Sequence, residues 1–486
     1  RREQIEQSLA GINFTNIALG TLEENIFGRT IDAIDEQFEN QPLVRAQLLE
    51  SIAYTLRELG LLELATDPHV QAIEIRRKEL GNDHPDTLTS INNMGQLLAS
   101  QGKLAEAEAY NREALQSRRR VLGDDHQDTL VSIANMGLLL QDQGKLSEVE
   151  AYFREALDGY RHVLGDDHPN TLTSISNMGY LFQAQGKLLE AEAYYREALE
   201  GRRRVLGDDH PDTLVSVNNM GALLHAQGRL SEAEAYWHVA LEGFRRVLGN
   251  DHPSTLISIN NMGYLLTKQG MLPEARPYFR EVLNVSRRVL GNDHPDTLAS
   301  MSNMGYLLQT EGMVREAEAY YRESLEGRRR VLGDDHSDTL ASINNMGSLL
   351  KQQGRWSESE ELRRLLVDIA RRTEPEGGAR LGSALVQLGM NLTRQDRPVD
   401  AEPALTECLE IRRRVMPDGH WLIWNTQSLL GESIAAQSRF AEAEPLLTEA
   451  AEQINPPAEI GEIGVQRTSE AIQRVVDLTT PCTPTQ

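Results

Sequence analysis

GNDHPDTLTSINNMGQLLASQGKLAEAEAYNREALQSRRRVL, residues 81–122, returns six times at a spacing of 42 residues without insertion or deletion. Gly81, Gly123, Gly165, Gly207, Gly249, Gly291 and Gly333 are therefore one position seen seven times. A period between about 20 and 50 residues is the signature of a solenoid of stacked supersecondary units. Inside one unit the apolar residues fall at helical spacing: Leu88, Ile91, Met94, Gly95 and Leu98 on one side of a first helix, and Leu104, Ala107, Tyr110, Ala114 and Leu115 on one side of a second. Each unit reads as a helical hairpin. Gly102 and its equivalents through Gly354 allow the positive φ that reverses the chain between the two helices.

Local signals set the boundaries. Ser147-x-x-Glu150, Ser231-x-x-Glu234 and Ser357-x-x-Glu360 read as capping boxes that start the second helix at the serine. Arginines such as Arg118, Arg119 and Arg120 suit a helix C-terminus, and Gly123 stops the helix. Residues Asp83 to Asp86, around Pro85, start the next first helix. Gly95 and its equivalents face Ala107, Ala191, Ala233, Ala275 and Ala317 at the expected helix crossing. A mid-helix glycine costs about 1 kcal/mol relative to alanine, so its recurrence implies a close contact that offsets the loss.

Ile91, Met94-Gly95, Leu98, Gly102, Leu104, Ala107 and Ala114 are spaced as in the tetratricopeptide repeat, and the chain resembles that family. The 42-residue unit, the LGDDHPDTL linker and the pairs Asn218-Asn219 and Asn260-Asn261 resemble the kinesin-light-chain-type subclass. Gly95 departs from that subclass, which more often has alanine there, and the wording of the units resembles bacterial proteins of planctomycete type. The resemblance implies an all-α fold, a right-handed α-α superhelical solenoid. Residues 29–60 further resemble the segment just after the catalytic domain of bacterial serine/threonine kinases with C-terminal arrays of these repeats. The chain has no Gly-rich nucleotide loop, no HRD and no DFG, so any phosphoryl transfer would belong to a neighbouring domain. Arg1 as first residue implies a processed chain or a piece of a longer one.

The register extends beyond the clear units. Counting 42 back from Gly102 and Ala114 reaches Gly60 and Ala72; counting forward from Gly347 reaches Gly389 and Gly431. The expected organisation is an N-terminal helical cap or linker (1–38), repeats 1–8 (39–374), two degenerate repeats (375–458) and a partial helix and tail (459–486). Ile31, Ile34 and Phe38 form a stripe suited to covering the open end of the array. Glu374 to Gly378 lacks the linker sequence and reads as the loosest internal joint.

Composition narrows the function. The 486 residues carry 73 acids against 49 Lys and Arg, a formal charge of -24, which disfavours nucleic acid or an anionic membrane as partner. No run of 18 apolar residues predicts a membrane span. Two cysteines, Cys408 and Cys482, fit a reducing, cytoplasmic setting without a disulfide framework. Seven equivalent histidines, His84 through His336, recur once per unit and stack at roughly 10 Å, too far apart to share a metal whose ligands sit at about 2 Å. No catalytic motif, metal site or cofactor site is expected.

What remains is the outward face of the first helix, where Thr89, Asn93, Gln96 and Ser100 lie opposite the apolar stripe. Asn93, Asn135, Asn177, Asn219, Asn261, Asn303 and Asn345 hold one position unchanged, while their neighbours vary: Tyr180, Tyr264 and Tyr306 at one position, His225 and Lys351 at another, with Lys268 beside them. By resemblance this face lines a concave, peptide-binding groove, and a fixed amide with variable flanks suits backbone gripping plus side-chain selection. Two readings stay open: the asparagines hold a protein or peptide ligand, or they bind the neighbouring repeat and serve stacking. A recruiting region of a larger kinase, and a structural spacer that self-associates end to end, are the alternative roles.

Overall fold

The computed structural model describes residues 27–374 and 377–453. These form twenty-one α-helices and no strand: a short helix Arg29–Gln37, then ten helical hairpins from Pro42–Glu58 with Thr66–Leu80 to Trp421–Ala436 with Phe440–Gln453. The fold is an all-α solenoid of tandem helix-turn-helix units. No described helix is long and apolar enough to cross a membrane. The chain divides into two compact units, Arg1–Leu332 and Gly333–Gln486. The first holds repeats 1 to 7 and the second repeats 8 to 10.

The hairpin Pro85–Ser100 with Leu104–Leu122 shows how the pattern becomes structure. Leu88, Ile91, Met94, Leu98, Ala107 and Ala114 are all buried. Gly102 turns the chain at φ 75°, and the Lys103 amide donates back to Leu98 O at 2.9 Å. In the two drifted repeats that glycine is replaced by Asp396 and Ser438, yet both keep a positive φ of 57° and 63°. The drifted units thus retain the geometry and accept local backbone strain.

Three readings change, and the histidines acquire a role. The second helices begin at Leu230 and Trp356, one residue before Ser231 and Ser357, and their N-cap residues Arg229 and Arg355 make no side-chain cap bond, so these serines do not form capping boxes. Arg229 instead clasps Glu232, with Nη2 2.7 Å from Oε2, because the long side chain reaches the first turn. The first helices are capped by the histidines: Nδ1 of His84, His126, His168, His210, His252, His294 and His336 accepts the amide two residues on at 3.1–3.2 Å. That bond explains their recurrence without a metal. Among the described residues no group of three or more His, Cys, Asp or Glu is placed to hold a metal ion.

The arginine triplets split by position. Arg119 bridges to Glu155 in the next repeat, an ion pair between units, and Arg120 bridges to Asp83 at the start of its own. Arg118 is buried instead, with Nη1 on Asp128 O (3.0 Å) and Ser132 Oγ (2.9 Å) and Nη2 on Thr89 Oγ1 (3.0 Å). Its guanidinium ties three helices together. The mid-helix glycines make room chiefly for a large side chain on the second helix, not for the facing alanine. A Cβ on Gly95 would collide with Asn111 Oδ1 but lie 3.4 Å from Ala107 O. On Gly137 and Gly221 it would strike Phe153 and Trp237 at 2.5 and 2.6 Å.

At the N-terminal end Ile34 is buried with Ala46, Leu49 and Ala72, and Ile31 and Phe38 pack beside it. The expected helices of residues 1–26 and 459–478 lie outside the described residues. Within the first unit the array curves until the turn at Gly60 meets a later repeat: a Cβ there would lie 3.0 Å from His294 Cδ2 and 3.1 Å from Pro295 Cδ. The His294 side chain is 13% exposed, whereas that of His126 is 45% exposed.

Candidate functional site

The asparagine position lies on the half-buried edge of each first helix. Its amide bonds to the preceding repeat wherever that repeat supplies a carbonyl or carboxylate oxygen 43 residues back. Asn93 Nδ2 donates to Glu50 Oε1 at 3.3 Å, Asn135 to Asn92 Oδ1 at 3.1 Å, Asn261 to Asn218 Oδ1 at 2.9 Å and Asn303 to Asn260 Oδ1 at 2.7 Å. Asn177 and Asn219 face Ala134 and Ser176 at the corresponding positions and make no such bond. Ser176 turns its hydroxyl to Leu172 O at 3.1 Å. Four amides of the ladder therefore join repeats, and two in its middle remain available.

The variable positions of repeats 5 to 7 gather into one cluster, on the helices that carry Asn219, Asn261 and Asn303. His225 packs at a tilt against Trp237 (centroids 5.6 Å) and Tyr264 (5.4 Å), and Tyr264 against Tyr306 (6.1 Å). Lys268 Nζ lies 5.2 Å from the centroid of Tyr264 and 5.7 Å from that of Tyr306, within cation–π range of both. Partial burial pulls the Lys268 ammonium down, but the hydroxyls of Tyr306 and Tyr264 outweigh it and hold the group above the ordinary lysine value. The helices Pro211–Ala226, Pro253–Lys268 and Pro295–Thr310 each contribute one or two of these groups, because equivalent positions on neighbouring units come into register. Tyr180 is 56% exposed and stands outside the stack. Asn345 and Lys351 are half-buried on helix Ser337–Gln352 of the second unit.

Two contributors escaped the sequence reading. Trp237 belongs to a second helix, and its indole, packed over Gly221 with Nε1 on Asn218 O at 3.0 Å, supports His225 from below. Tyr54 falls in register with Tyr180, Tyr264 and Tyr306, a signal that counting back through the degenerate first repeat would have found. Its ring lies 5.1 Å from Arg57 Cζ in a cleft of about 190 Å³ lined also by Glu50, His69, Asn93 and Gln96.

The comparisons with known proteins agree with the repeat geometry. A tetratricopeptide repeat model matches in seven overlapping segments between residues 44 and 372, and a second tetratricopeptide repeat model matches residues 381–422. Among curated proteins none matches. Among solved structures, a Podosopora anserina protein of nearly identical TPR-like repeats, described as a kinesin light chain, is 20% identical over 42% of this chain and 97% of its own, with a TM-score of 0.37. The apo quorum sensor NprR from B. thuringiensis is 16% identical over 76% of this chain and 99% of its own, with a TM-score of 0.48. Yeast Tom70 is 13% identical over all of this chain and 98% of its own, with a TM-score of 0.49. The family models span most of the chain, and with the ten hairpins they show that it belongs to the tetratricopeptide repeat family.

Proposed function

We propose that this chain is an interaction scaffold of the kinesin-light-chain-like kind, and that repeats 4 to 7 bind an extended or short helical segment of another protein. The observation that carries this reading is the His225–Tyr264–Lys268–Tyr306 cluster, built from three successive first helices on the face that carries the asparagine ladder. Tyrosines offer a large rigid surface with a polar tip, and truncating a true anchor costs about 2 kcal/mol or more. The amides would satisfy peptide N–H and C=O groups withdrawn from water. Cytoplasmic residence and a place downstream of a kinase domain are compatible roles for such a scaffold. The kinase role rests on the resemblance of residues 29–60, and the coding sequence upstream of Arg1 tests it: an initiation codon directly before Arg1 would exclude it.

The groove is tested by selecting ligands for the intact chain from a peptide library and measuring their affinity for variants. Tyr264→Ala should weaken a selected ligand about thirtyfold with the melting temperature unchanged. Asn177→Ala with Asn219→Ala should also lose affinity without loss of stability. Asn261→Ala with Asn303→Ala should lower the melting temperature, since those amides join repeats. Ligands that bind all three variants like the parent chain would refute this site.

A further inference from the structure

The second unit contains a cleft of opposite character to the rest of this acidic chain. It opens between the first helices of repeats 8 and 9, Ser337–Gln352 and Ala379–Arg394, with a volume of about 340 Å³. Its lining includes Arg363, Arg380 and Arg412, the polar side chains of Ser337, Ser383 and Gln387, and no carboxylate.

Arg363 and Arg380 depart from the pattern of the array, and Arg412 keeps it only in part. Arg363 occupies the position held by Phe153, Tyr195, Trp237, Phe279 and Tyr321 in the repeats before it. It is 2% exposed and has only neutral acceptors: Asn344 Oδ1, Asn344 O at 3.5 Å and Ser348 Oγ at 3.1 Å. Arg412, 5% exposed, is the counterpart of Arg118 and keeps the Nη1 bonds, to Leu422 O at 3.1 Å and Thr426 Oγ1 at 2.5 Å. It lacks the third tie. The counterpart of Thr89 is Ser383, whose hydroxyl donates to Ala379 O at 2.9 Å and takes no bond from Arg412 Nη2 like that of Arg118 to Thr89. Arg380 stands where Asp338, Asp296 and Asp212 stand in other units, with Nε 3.6 Å from Glu374 Oε1.

Buried charges ordinarily sit opposite a counter-charge, and guanidinium forks match the oxygens of phosphate and carboxylate. Three guanidinium charges against the single carboxylate of Glu374 leave two positive charges, which a dianion neutralises and a lone carboxylate does not. We propose that this cleft is a binding site for a phosphoryl dianion, held by Arg363, Arg380 and Arg412 with the hydroxyl of Ser337. The site is separate from the groove of repeats 4 to 7 and stands or falls independently of it.

The test is calorimetric titration of the full chain with inorganic phosphate at fixed ionic strength, with sodium acetate as the monoanion comparison. Phosphate should bind saturably at one site and acetate much more weakly. Arg380→Gln, at a partly exposed side chain, should weaken phosphate about tenfold while leaving the melting temperature in place. Lys78→Gln, at an exposed side chain of the first unit, should leave phosphate binding unaltered. A titration with the blocked tripeptide Ala-phosphoserine-Ala separates the sources. Tighter binding than phosphate assigns the site to a phosphorylated side chain, and equal or weaker binding assigns it to a free anion. No saturable heat up to about 10 mM phosphate, or the same affinity in Arg380→Gln, overturns the proposal.

Discussion

At Gly221 an added methyl group has nowhere to go, since it would lie 2.6 Å from Trp237 Cδ1 and 2.7 Å from Nε1. At Gly382, also inside a first helix, the same methyl would rest 3.5 Å from Ile411 Cγ2, an ordinary contact. One substitution should therefore have opposite signs at two sites. Gly221→Ala gains about 1 kcal/mol of helix propensity but overpacks the core at about 1–3 kcal/mol, for a net loss of up to about 2 kcal/mol. Gly382→Ala should gain about 0.5–1 kcal/mol. Urea denaturation of the two variants measures both, and a stabilised Gly221→Ala would show that the indole moves aside at little cost.

The helix is the scale at which the histidines act. His126 Nδ1 accepts the Asp128 amide at 3.2 Å and so satisfies one of the amides that the start of helix Gln127–Asp142 leaves without an intrahelical partner. This bond needs an acceptor on a short side chain, which asparagine or aspartate also supplies. His126→Ala should cost about 1 kcal/mol, and His126→Asp should recover most of it. Amide hydrogen exchange localises the effect: faster exchange in the first turn of Gln127–Asp142 with His126→Ala, restored with His126→Asp. Equal protection in all three proteins would mean that the cap bond contributes nothing.

Across the first unit two buried histidines make stability depend on pH. Burial lowers the pKa of His69, whose Nε2 lies 3.0 Å from Ser90 O, with Glu50, Arg76 and Arg57 as its charged neighbours. Burial likewise lowers that of His294, beside Asp296 and Glu58, where the turn of the first hairpin closes over it. The unfolded chain protonates these rings near pH 6.5, before the folded protein does, so stability is full above that pH and falls as pH drops below it. Glu108 and Glu192 add a second, more acidic limb. Hydrogen bonds from Gln143 and Gln227 are the chief cause that holds their carboxylates below the ordinary value, and their contribution is lost as pH falls below about 4.5 through the folded values. Melting temperatures between pH 7.5 and 5 should decline, and the double variant His69→Gln, His294→Gln should flatten that decline; an unchanged slope would remove these two rings from the account.

The sequence alone determined the hairpins, their register through the drifted repeats, and the helix face carrying the asparagine ladder, because a strict period reports local geometry that every unit repeats. It left open which asparagines are engaged, since Asn219 and Asn261 look identical until the side chain 43 residues earlier is placed against each. It also misjudged Arg118, whose burial depends on helices before and after its own. The contact of Gly60 with His294 arises from small rotations accumulated over the intervening repeats, and no spacing in the chain encodes it directly. Arg363, Arg380 and Arg412 line one cleft only because two adjacent hairpins pack. A period fixes what each unit is, whereas the meeting of unlike side chains from different units is decided by how the units stack.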